Sequence, residues 1–152
     1  MVYIREFTFV NRIKDADRPM DKANYDLKPK LDKLVHIIDD DFQGSEVLQL
    51  WLEMNGYTVH CDSNGLAALE FLQLRVLPQI ILLNLQMPIM DGFEFREIQA
   101  NNSKIGKIPV VIVSAFDPWD VRHKLSHAKP EAYVQKPFGI DHILKTVQHH
   151  IH

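Results

Sequence analysis

Hydrophobic residues follow two alternating patterns along the chain from Leu34 onward. Short runs rich in Val, Ile and Leu, such as LVHII at 34–38 and QIILLN at 79–84, are apolar almost throughout. Such runs are typical of strands that are buried on both faces of a sheet. Longer segments between them, such as SEVLQLWLEMNG at 45–56, have apolar residues at helical spacing. The pattern therefore predicts strands and amphipathic helices in turn.

Five strands and five helices are predicted in strict alternation. The strands are predicted at 34–38, 57–61, 79–84, 108–114 and 132–135, and the helices at 45–56, 65–75, 91–100, 117–128 and 139–151. Such alternation favours a parallel sheet with right-handed crossovers and helices on both faces. We expect a doubly wound α/β domain over 31–152, preceded at 1–30 by a charge-rich N-terminal extension or linker.

Several residues mark the expected ends of helices. Gly56 is a stop signal for the first helix, and Ser63 is the expected N-cap of the second. Asp91 and Asp117 are the expected N-caps of the third and fourth helices, with Pro118 in the first helical position. Short polar side chains such as Asp and Ser accept hydrogen bonds from the free N–H groups of a helix's first turn, so they mark helix starts, and Pro is favoured in the first helical position.

Composition narrows the classes of protein that the chain resembles. Apolar residues make up 46% and charged residues 24%, which is typical of a globular chain. The net charge of -3 argues against nonspecific binding of nucleic acid, and no apolar run approaches the roughly 20 residues of a membrane helix. The N-terminus lacks the pattern of a signal peptide, and Cys61 is the only cysteine. We therefore expect a cytoplasmic protein without an internal disulfide.

Polar side chains collect where the predicted strands end. Three aspartates, 39–41, follow the first strand, Asn84 closes the third, Ser114 closes the fourth and Lys136 follows the fifth. Each alone is more often a turn or capping residue. Because the carboxyl ends of parallel strands share one edge, we expect these groups to lie together. Carboxylates, a hydroxyl and an ammonium group together suit a hard divalent cation and a phosphoryl group.

The stretches IIDDD, LLNLQMPIMDGFEF, VVIVSAF and YVQKPF occur in this order within about 34–151. As a set they resemble the receiver domain of two-component response regulators of the chemotaxis-regulator type. The resemblance implies a flavodoxin-like fold, with five parallel strands in the order 2-1-3-4-5 and five helices. It also implies a place in phosphorelay signal transduction.

The resemblance assigns roles to residues at the predicted edge. Asp39 and Asp40 match the acidic pair that binds Mg²⁺, and Gln86 matches the position whose backbone carbonyl completes the metal site. Ser114 matches the switch hydroxyl, and Lys136 matches the invariant-type lysine before a proline.

Partners also follow from the resemblance. Tyr133 matches the switch aromatic residue, and the peptide bond between Lys136 and Pro137 is expected to be cis. The implied partners are a sensor histidine kinase or phosphotransfer protein, and an effector or a second copy on the face of the fourth helix, fifth strand and fifth helix. Since the chain ends after the fifth helix, we expect a stand-alone receiver that acts by protein–protein contact. We expect neither an enzyme nor a nucleic-acid or membrane partner.

Asn84 stands where the family carries its phosphoacceptor aspartate. An amide is neutral and a poor nucleophile, so conventional aspartyl phosphorylation is not expected. Mg²⁺ binding should be weak or absent, because one of three carboxylate charges is lost. Three explanations remain open. The chain is a natural degenerate receiver that signals by binding alone, or an engineered inactive version of an ordinary receiver, or phosphate goes to Ser114 or Asp40.

A rival interpretation is a Mg²⁺-dependent phosphohydrolase of the haloacid dehalogenase type. Asp39 would then be the nucleophile of a D-x-D motif completed by Asp41, with Ser114 and Lys136 holding phosphate. That family needs a further acidic pair after its lysine, and only Asp141 follows Lys136 here. A flavin-binding protein is disfavoured because the acidic run after the first strand repels phosphate.

Two residues within strands have simpler interpretations. His36, in the middle of the first strand, is expected to be buried and neutral. Cys61, at the end of the second, is expected to be a small buried hydrophobic residue.

Overall fold

A computed structural model describes residues 33–74 and 76–151, so the extension predicted at 1–30 lies outside the described residues. The described chain contains all ten predicted elements. They are β1 (Leu34–Ile38), α1 (Phe42–Met54), β2 (Thr58–Asp62), α2 (Gly65–Leu72), β3 (Ile80–Leu83), α3 (Gly92–Ala100), β4 (Val110–Ser114), α4 (Pro118–Lys124), β5 (Ala132–Gln135) and α5 (Ile140–His150). Among these helices, none has the length and apolar character needed to cross a membrane.

The five strands form one parallel sheet in the order β2-β1-β3-β4-β5. This arrangement confirms the predicted fold class. β1 lies between β2 and β3, with His36 opposite His60 and Ile38 opposite Asp62. Because all strands run the same way, the residues that follow β1, β3, β4 and β5 emerge at one edge.

Side chains that alternate along each strand build two separate cores, one on each face. Leu34 and Ile38 of β1 pack with residues of α2, α3 and α4, whereas Val35 and Ile37 pack with residues of α1 and α5. All five residues of β1 are buried. Burial on both faces explains why the strands are apolar throughout rather than alternating with polar residues.

The first turn of α1 begins earlier than its apolar spacing indicates. The predicted start was at 45, but the helix starts at Phe42, because the Asp41 side chain accepts a hydrogen bond from the Gly44 N–H at 3.1 Å. Past its other end, Gly56 has φ +87°, a left-handed conformation that glycine adopts without a Cβ clash. Gly56 therefore lies just past the end of the helix, as predicted.

The predicted cap of α2 was wrong by one residue. Asn64, not Ser63, is the N-cap, and its Oδ1 accepts from the Ala67 N–H at 2.9 Å. Asp91 and Asp117 cap α3 and α4 as predicted.

α4 is shorter than predicted. It ends at Lys124, where the prediction extended to 128. Leu125 and Ala128, beyond that end, still join the core. Their burial explains the apolar spacing that made the helix look longer.

Cys61 differs from its prediction, whereas His36 agrees. Cys61 is only half-buried, and its thiol donates a hydrogen bond to Oε1 of Gln49 at 3.6 Å. His36 is fully buried, and its Nε2–H donates to Oδ2 of Asp62 at 2.8 Å. Burial lowers the pKa of His36, and its hydrogen bond to Asp62 only partly opposes that effect. The neutral ring is therefore favoured.

The buried imidazole predicts a pH dependence of stability. Above the ordinary histidine pKa of 6.5 the ring is neutral in both states. Below it, the unfolded chain takes up a proton that the folded chain resists, so the free energy of unfolding falls, by up to about 1.4 kcal/mol per pH unit. We expect His36→Gln to make this fall shallower between about pH 7 and pH 5. Denaturant titrations in EDTA at several pH values measure it.

The matched control is His127→Gln, because His127 is exposed in the segment after α4. This variant should keep the wild-type slope. An unchanged slope in His36→Gln would contradict the assignment of the pH dependence to the buried ring.

Candidate functional site

A cleft at the carboxyl edge of the sheet collects residues from three strand ends. Asp39 follows β1, Asn84 follows β3 and Lys136 follows β5. The cleft measures about 450 Å³. Its polar lining comes from Asp39, Asp41, Ser45, Asn84 and Lys136, and Ala115 and Phe138 are among its apolar walls. Three of the predicted side chains are therefore brought together as parallel topology requires.

The carboxamide of Asn84 lies at the centre of this arrangement. Its Nδ2 lies 3.1 Å from Oδ1 of Asp39, 3.3 Å from Oδ1 of Asp40 and 2.9 Å from the carbonyl oxygen of Gln86. The two amide hydrogens are thus shared among three oxygens. Oδ1 of Asn84 accepts from the Leu85 N–H at 2.9 Å. Every partner fits one orientation of the amide, since the nitrogen meets only acceptors and the oxygen meets a donor.

The Asp39 carboxylate accepts three hydrogen bonds. Its Oδ1 accepts from the Asp41 N–H at 3.0 Å as well as from Asn84, and its Oδ2 accepts from Nζ of Lys136 at 2.7 Å. The Asp39 and Lys136 side chains are only 13% and 28% exposed, so solvent screens this ion pair incompletely. Asp40 is exposed. Asp39 therefore forms the ion pair that links the acidic residues after β1 to Lys136 after β5.

Ser114 and Tyr133 are linked to the cleft through the backbone. The Ser114 side chain is buried and its Oγ accepts from the Phe116 N–H at 3.3 Å, while its carbonyl accepts from the Lys136 N–H at 2.9 Å. The Tyr133 hydroxyl donates to the carbonyls of Ser114, at 3.0 Å, and Phe116. Burial raises the pKa of Tyr133, which keeps the phenol protonated as a donor. The peptide bond between Lys136 and Pro137 is cis, as the resemblance implies.

Gly92 was not singled out from the sequence, yet it fixes the loop that carries Asn84. Its N–H donates to the Leu85 carbonyl at 2.9 Å. A Cβ at this position would lie 2.2 Å from the Asn84 carbonyl oxygen and 2.7 Å from Cα of Leu85. Only glycine admits this close approach between the start of α3 and the end of β3. The Asp91-Gly92 pair directly after LQMPIM is the sequence feature that could have pointed to this glycine.

The oxygens that the resemblance assigns to Mg²⁺ do not fit a cation as they are arranged. Asp39, Asp40 and the Gln86 carbonyl all face the Asn84 nitrogen at 2.9 to 3.3 Å. Mg²⁺ needs oxygen ligands at about 2.0–2.1 Å in near-octahedral geometry. As arranged, all three oxygens accept hydrogen bonds from the Asn84 amide, and the Asn84 oxygen faces the Leu85 N–H instead of joining them.

The geometry weakens the phosphohydrolase interpretation. Asp41, the second acidic residue of the supposed D-x-D motif, caps α1 through its side chain. Asp39, the supposed nucleophile, is held by Lys136 and the Asn84 amide.

Comparison of the sequence with protein families matches residues 35–148 to the response regulator receiver domain. Among curated proteins, the chain is 26% identical over 119 residues to the polar-differentiation response regulator DivK of Brucella anthropi. The match covers 78% of this chain and 96% of that protein.

Solved structures give the same result. The signal receiver domain of a signal transduction histidine kinase from Syntrophus aciditrophicus aligns with a TM-score of 0.71 and 26% identity, covering 78% of this chain and 89% of that one. The Mn²⁺-bound form of response regulator Rcp1 aligns with a TM-score of 0.66 and 26% identity, covering 77% and 90%. These similarities agree with the strand order of the sheet.

The cleft predicts that Asn84→Asp makes stability depend on Mg²⁺. A carboxylate in place of the amide removes two hydrogen-bond donors and sets a third negative charge against Asp39 and Asp40. Without metal we expect a loss of about 2 kcal/mol in the free energy of unfolding. Mg²⁺ at ten times its dissociation constant should restore about 1.4 kcal/mol. Thermal melts in EDTA and in a Mg²⁺ series measure both effects.

The wild-type chain and a double variant are the controls for these melts. The wild-type chain should show little change in melting temperature across the same Mg²⁺ series. The double variant Asn84→Asp/Asp40→Asn, which restores the wild-type number of carboxylates, should recover stability in EDTA. A wild-type chain stabilised by Mg²⁺ as strongly as Asn84→Asp would contradict the placement of the amide.

Proposed function

The chain belongs to the response regulator receiver domain family, and we propose that it acts in a two-component phosphorelay as a receiver that is not phosphorylated at the usual position. The observation that carries the proposal is the contact of Asn84 Nδ2 with Asp39, Asp40 and the Gln86 carbonyl. The amide binds the oxygens that activate a phosphoacceptor site in other members.

Asn84 lacks the properties of a phosphoacceptor. Its carboxamide is neutral, and its only oxygen accepts a hydrogen bond from the Leu85 N–H at 2.9 Å. It therefore offers no anion to attack a phosphoryl group, and its oxygen faces the loop backbone. Conventional aspartyl phosphorylation is absent in this proposal.

The two alternative acceptors are less suited. Ser114 is 1% exposed, and its hydroxyl oxygen accepts from the Phe116 N–H. Asp40 is exposed but lies against the Asn84 amide rather than beside Lys136. Neither residue combines an accessible nucleophilic oxygen with the lysine that would neutralise the incoming phosphate.

Weak or absent binding of Mg²⁺ is part of the proposal. Receiver domains bind Mg²⁺ at the acidic site, and the related Rcp1 structure holds Mn²⁺. In this chain the corresponding oxygens accept from an amide, and Asp39 also pairs with Lys136 at 2.7 Å. A cation would have to displace both partners. In this proposal the acidic site is held by the Asn84 amide and the Lys136 ion pair instead of by a cation.

The chain then acts as a binding module rather than as an enzyme. Tyr133 is held by the carbonyls of Ser114 and Phe116, so the switch aromatic residue has one defined position. In this proposal the trigger that an acyl phosphate supplies is missing, so no reaction in the cleft releases Tyr133 from these carbonyls. Regulation would come from the abundance of the chain or from its partners.

Two kinds of partner follow. One is a sensor histidine kinase or phosphotransfer protein, which would dock at the cleft without completing transfer. The other is an effector, or a second copy, on the face formed by α4, β5 and α5. Trp119 on α4 is 65% exposed and lies against the ring of His123, with 3.9 Å between the ring centroids, which makes it a suitable aromatic anchor. The single cysteine supports a reducing, cytoplasmic setting.

The proposal predicts the result of a phosphorylation assay. The wild-type chain, incubated with acetyl phosphate and Mg²⁺, should show no added phosphoryl group by intact mass. Asn84→Asp should gain one, because the carboxylates and Lys136 needed for the reaction are present around position 84. The adduct should hydrolyse in mild base, as an acyl phosphate does.

The control is Asn84→Asp/Asp40→Asn, which keeps the nucleophile and lacks one metal-binding carboxylate. It should gain far less phosphate than Asn84→Asp. A stable adduct on the wild-type chain would overturn the proposal. Failure of Asn84→Asp to react would show that the cleft differs from an active receiver in more than residue 84.

A further inference from the structure

A second cluster of metal-ligating groups lies between the edge strand β2, its neighbour β1 and α2. Nε2 of His36 and Nε2 of His60 lie 2.8 Å and 3.1 Å from the same oxygen, Oδ2 of Asp62. All three atoms lie within 4.8 Å of one another. We propose that these residues form a binding site for a transition-metal ion of the Zn²⁺ type, with a water as fourth ligand.

Strand register brings the three residues together. His36 of β1 lies opposite His60 of β2. Asp62 follows His60 by two residues on β2 and lies opposite Ile38 of β1. Side chains two residues apart on a strand point to the same face. The three side chains therefore face α2, and the strand register places their ligand atoms within 4.8 Å of one another.

The chemistry of the donors selects the metal. Two imidazole nitrogens and one carboxylate oxygen suit Zn²⁺, Co²⁺ or Ni²⁺, whereas Mg²⁺ prefers oxygen ligands alone. Zn–N and Zn–O bonds of about 2.0–2.2 Å place tetrahedral ligand atoms roughly 3.3 Å apart. The present separations from Asp62 need to widen by only a few tenths of an ångström.

The surroundings hold the ligands in place. Phe71 of α2 stacks on the His60 ring at 3.7 Å between centroids and meets the His36 ring edge-on at 4.9 Å. The His36 side chain is fully buried, whereas those of His60 and Asp62 are 8% and 15% exposed. An ion and its water therefore approach from the Asp62 side, with the two rings already oriented by packing.

Binding requires that each imidazole carry its proton on Nδ1, so that Nε2 offers a lone pair. The Nε2–H groups that now donate to Asp62 shift their protons to Nδ1, and the carboxylate turns from acceptor to ligand. Nδ1 of His36 is buried without a hydrogen-bond partner among the described residues. This cost predicts weaker binding than at a structural zinc site with four protein ligands.

A bound ion would join the edge strand to the rest of the sheet next to the cleft. The Asp39 N–H donates to the Asp62 carbonyl at 3.0 Å, so one backbone hydrogen bond separates the metal ligand from the acidic residues after β1. The ion would tie β2 to β1 at the point where Asp39 begins its turn. Its expected effect is a higher melting temperature, without any reaction at Asn84.

The test uses the untagged 152-residue chain in buffers of defined free Zn²⁺. We expect one Zn²⁺ per chain by calorimetry, a rise of several degrees in melting temperature, and visible absorption typical of four-coordinate Co²⁺ when Co²⁺ replaces Zn²⁺. Excess Mg²⁺ should not compete. His60→Gln and Asp62→Asn should each weaken Zn²⁺ binding at least about tenfold. Both change groups that are not fully buried, and melts in EDTA check that they fold.

The matched control is His149→Gln/His150→Gln, since the C-terminal histidines are the other neighbouring pair of imidazoles in the described residues. This variant should bind Zn²⁺ as the wild type does. Ring resonances of His36 and His60 in the wild-type chain should shift on adding Zn²⁺, a readout that needs no variant. The proposal is overturned if the chain binds no Zn²⁺, if the ring resonances stay fixed, or if only the C-terminal variant loses binding.

Discussion

The carboxamide of Asn84 is the constraint on which the acidic edge depends. Asp39, Asp40 and the Gln86 carbonyl present three oxygens to one small space, and the Asn84 nitrogen lies within 3.3 Å of each. Two like charges 4 Å apart repel by about 4 kcal/mol at an effective dielectric of about 20. A cation or a set of N–H donors has to offset that repulsion. Here the N–H donors belong to the neutral Asn84 side chain, and the ammonium group of Lys136 supplies a positive charge beside Asp39.

Hydrogen-bond donors surround a carboxylate at the ends of both neighbouring strands β1 and β2. After β1, amide and ammonium groups surround Asp39, and at the end of β2 two imidazole N–H groups surround Asp62. Burial alone would raise the pKa of Asp62, but the hydrogen bonds from His36 and His60 outweigh it and leave the pKa well below its usual range. Asp62 therefore remains charged at neutral pH. Hydrogen bonds from the chain itself hold the first carboxylate, and at the second we propose that a metal ion binds.

The fold and much of the edge were predictable from the sequence, because each signal was local. Apolar runs gave the strands, Asp91 and Asp117 gave two helix starts, and parallel topology brought Asp39, Asn84 and Lys136 together. The orientation of the Asn84 amide was not predictable, since it depends on three partners from two separate loops. The start of α1 was missed because a cap outweighed apolar spacing. The cluster around Asp62 was missed because the register between β1 and β2 is set by tertiary packing, and sequence spacing does not reveal it.

The central claim is that the Asn84 amide hydrogens occupy the oxygens of the acidic edge, and side-chain amide NMR tests it most directly. In ¹⁵N-labelled wild-type chain, assigned by comparison with Asn84→Asp, we expect two well-separated Asn84 Nδ2–H signals. Their exchange with solvent should be much slower than that of Asn101, an exposed asparagine at the end of α3. Both signals should stay in place as Mg²⁺ is added. Rapid exchange, or a shift that saturates with Mg²⁺, would contradict the account.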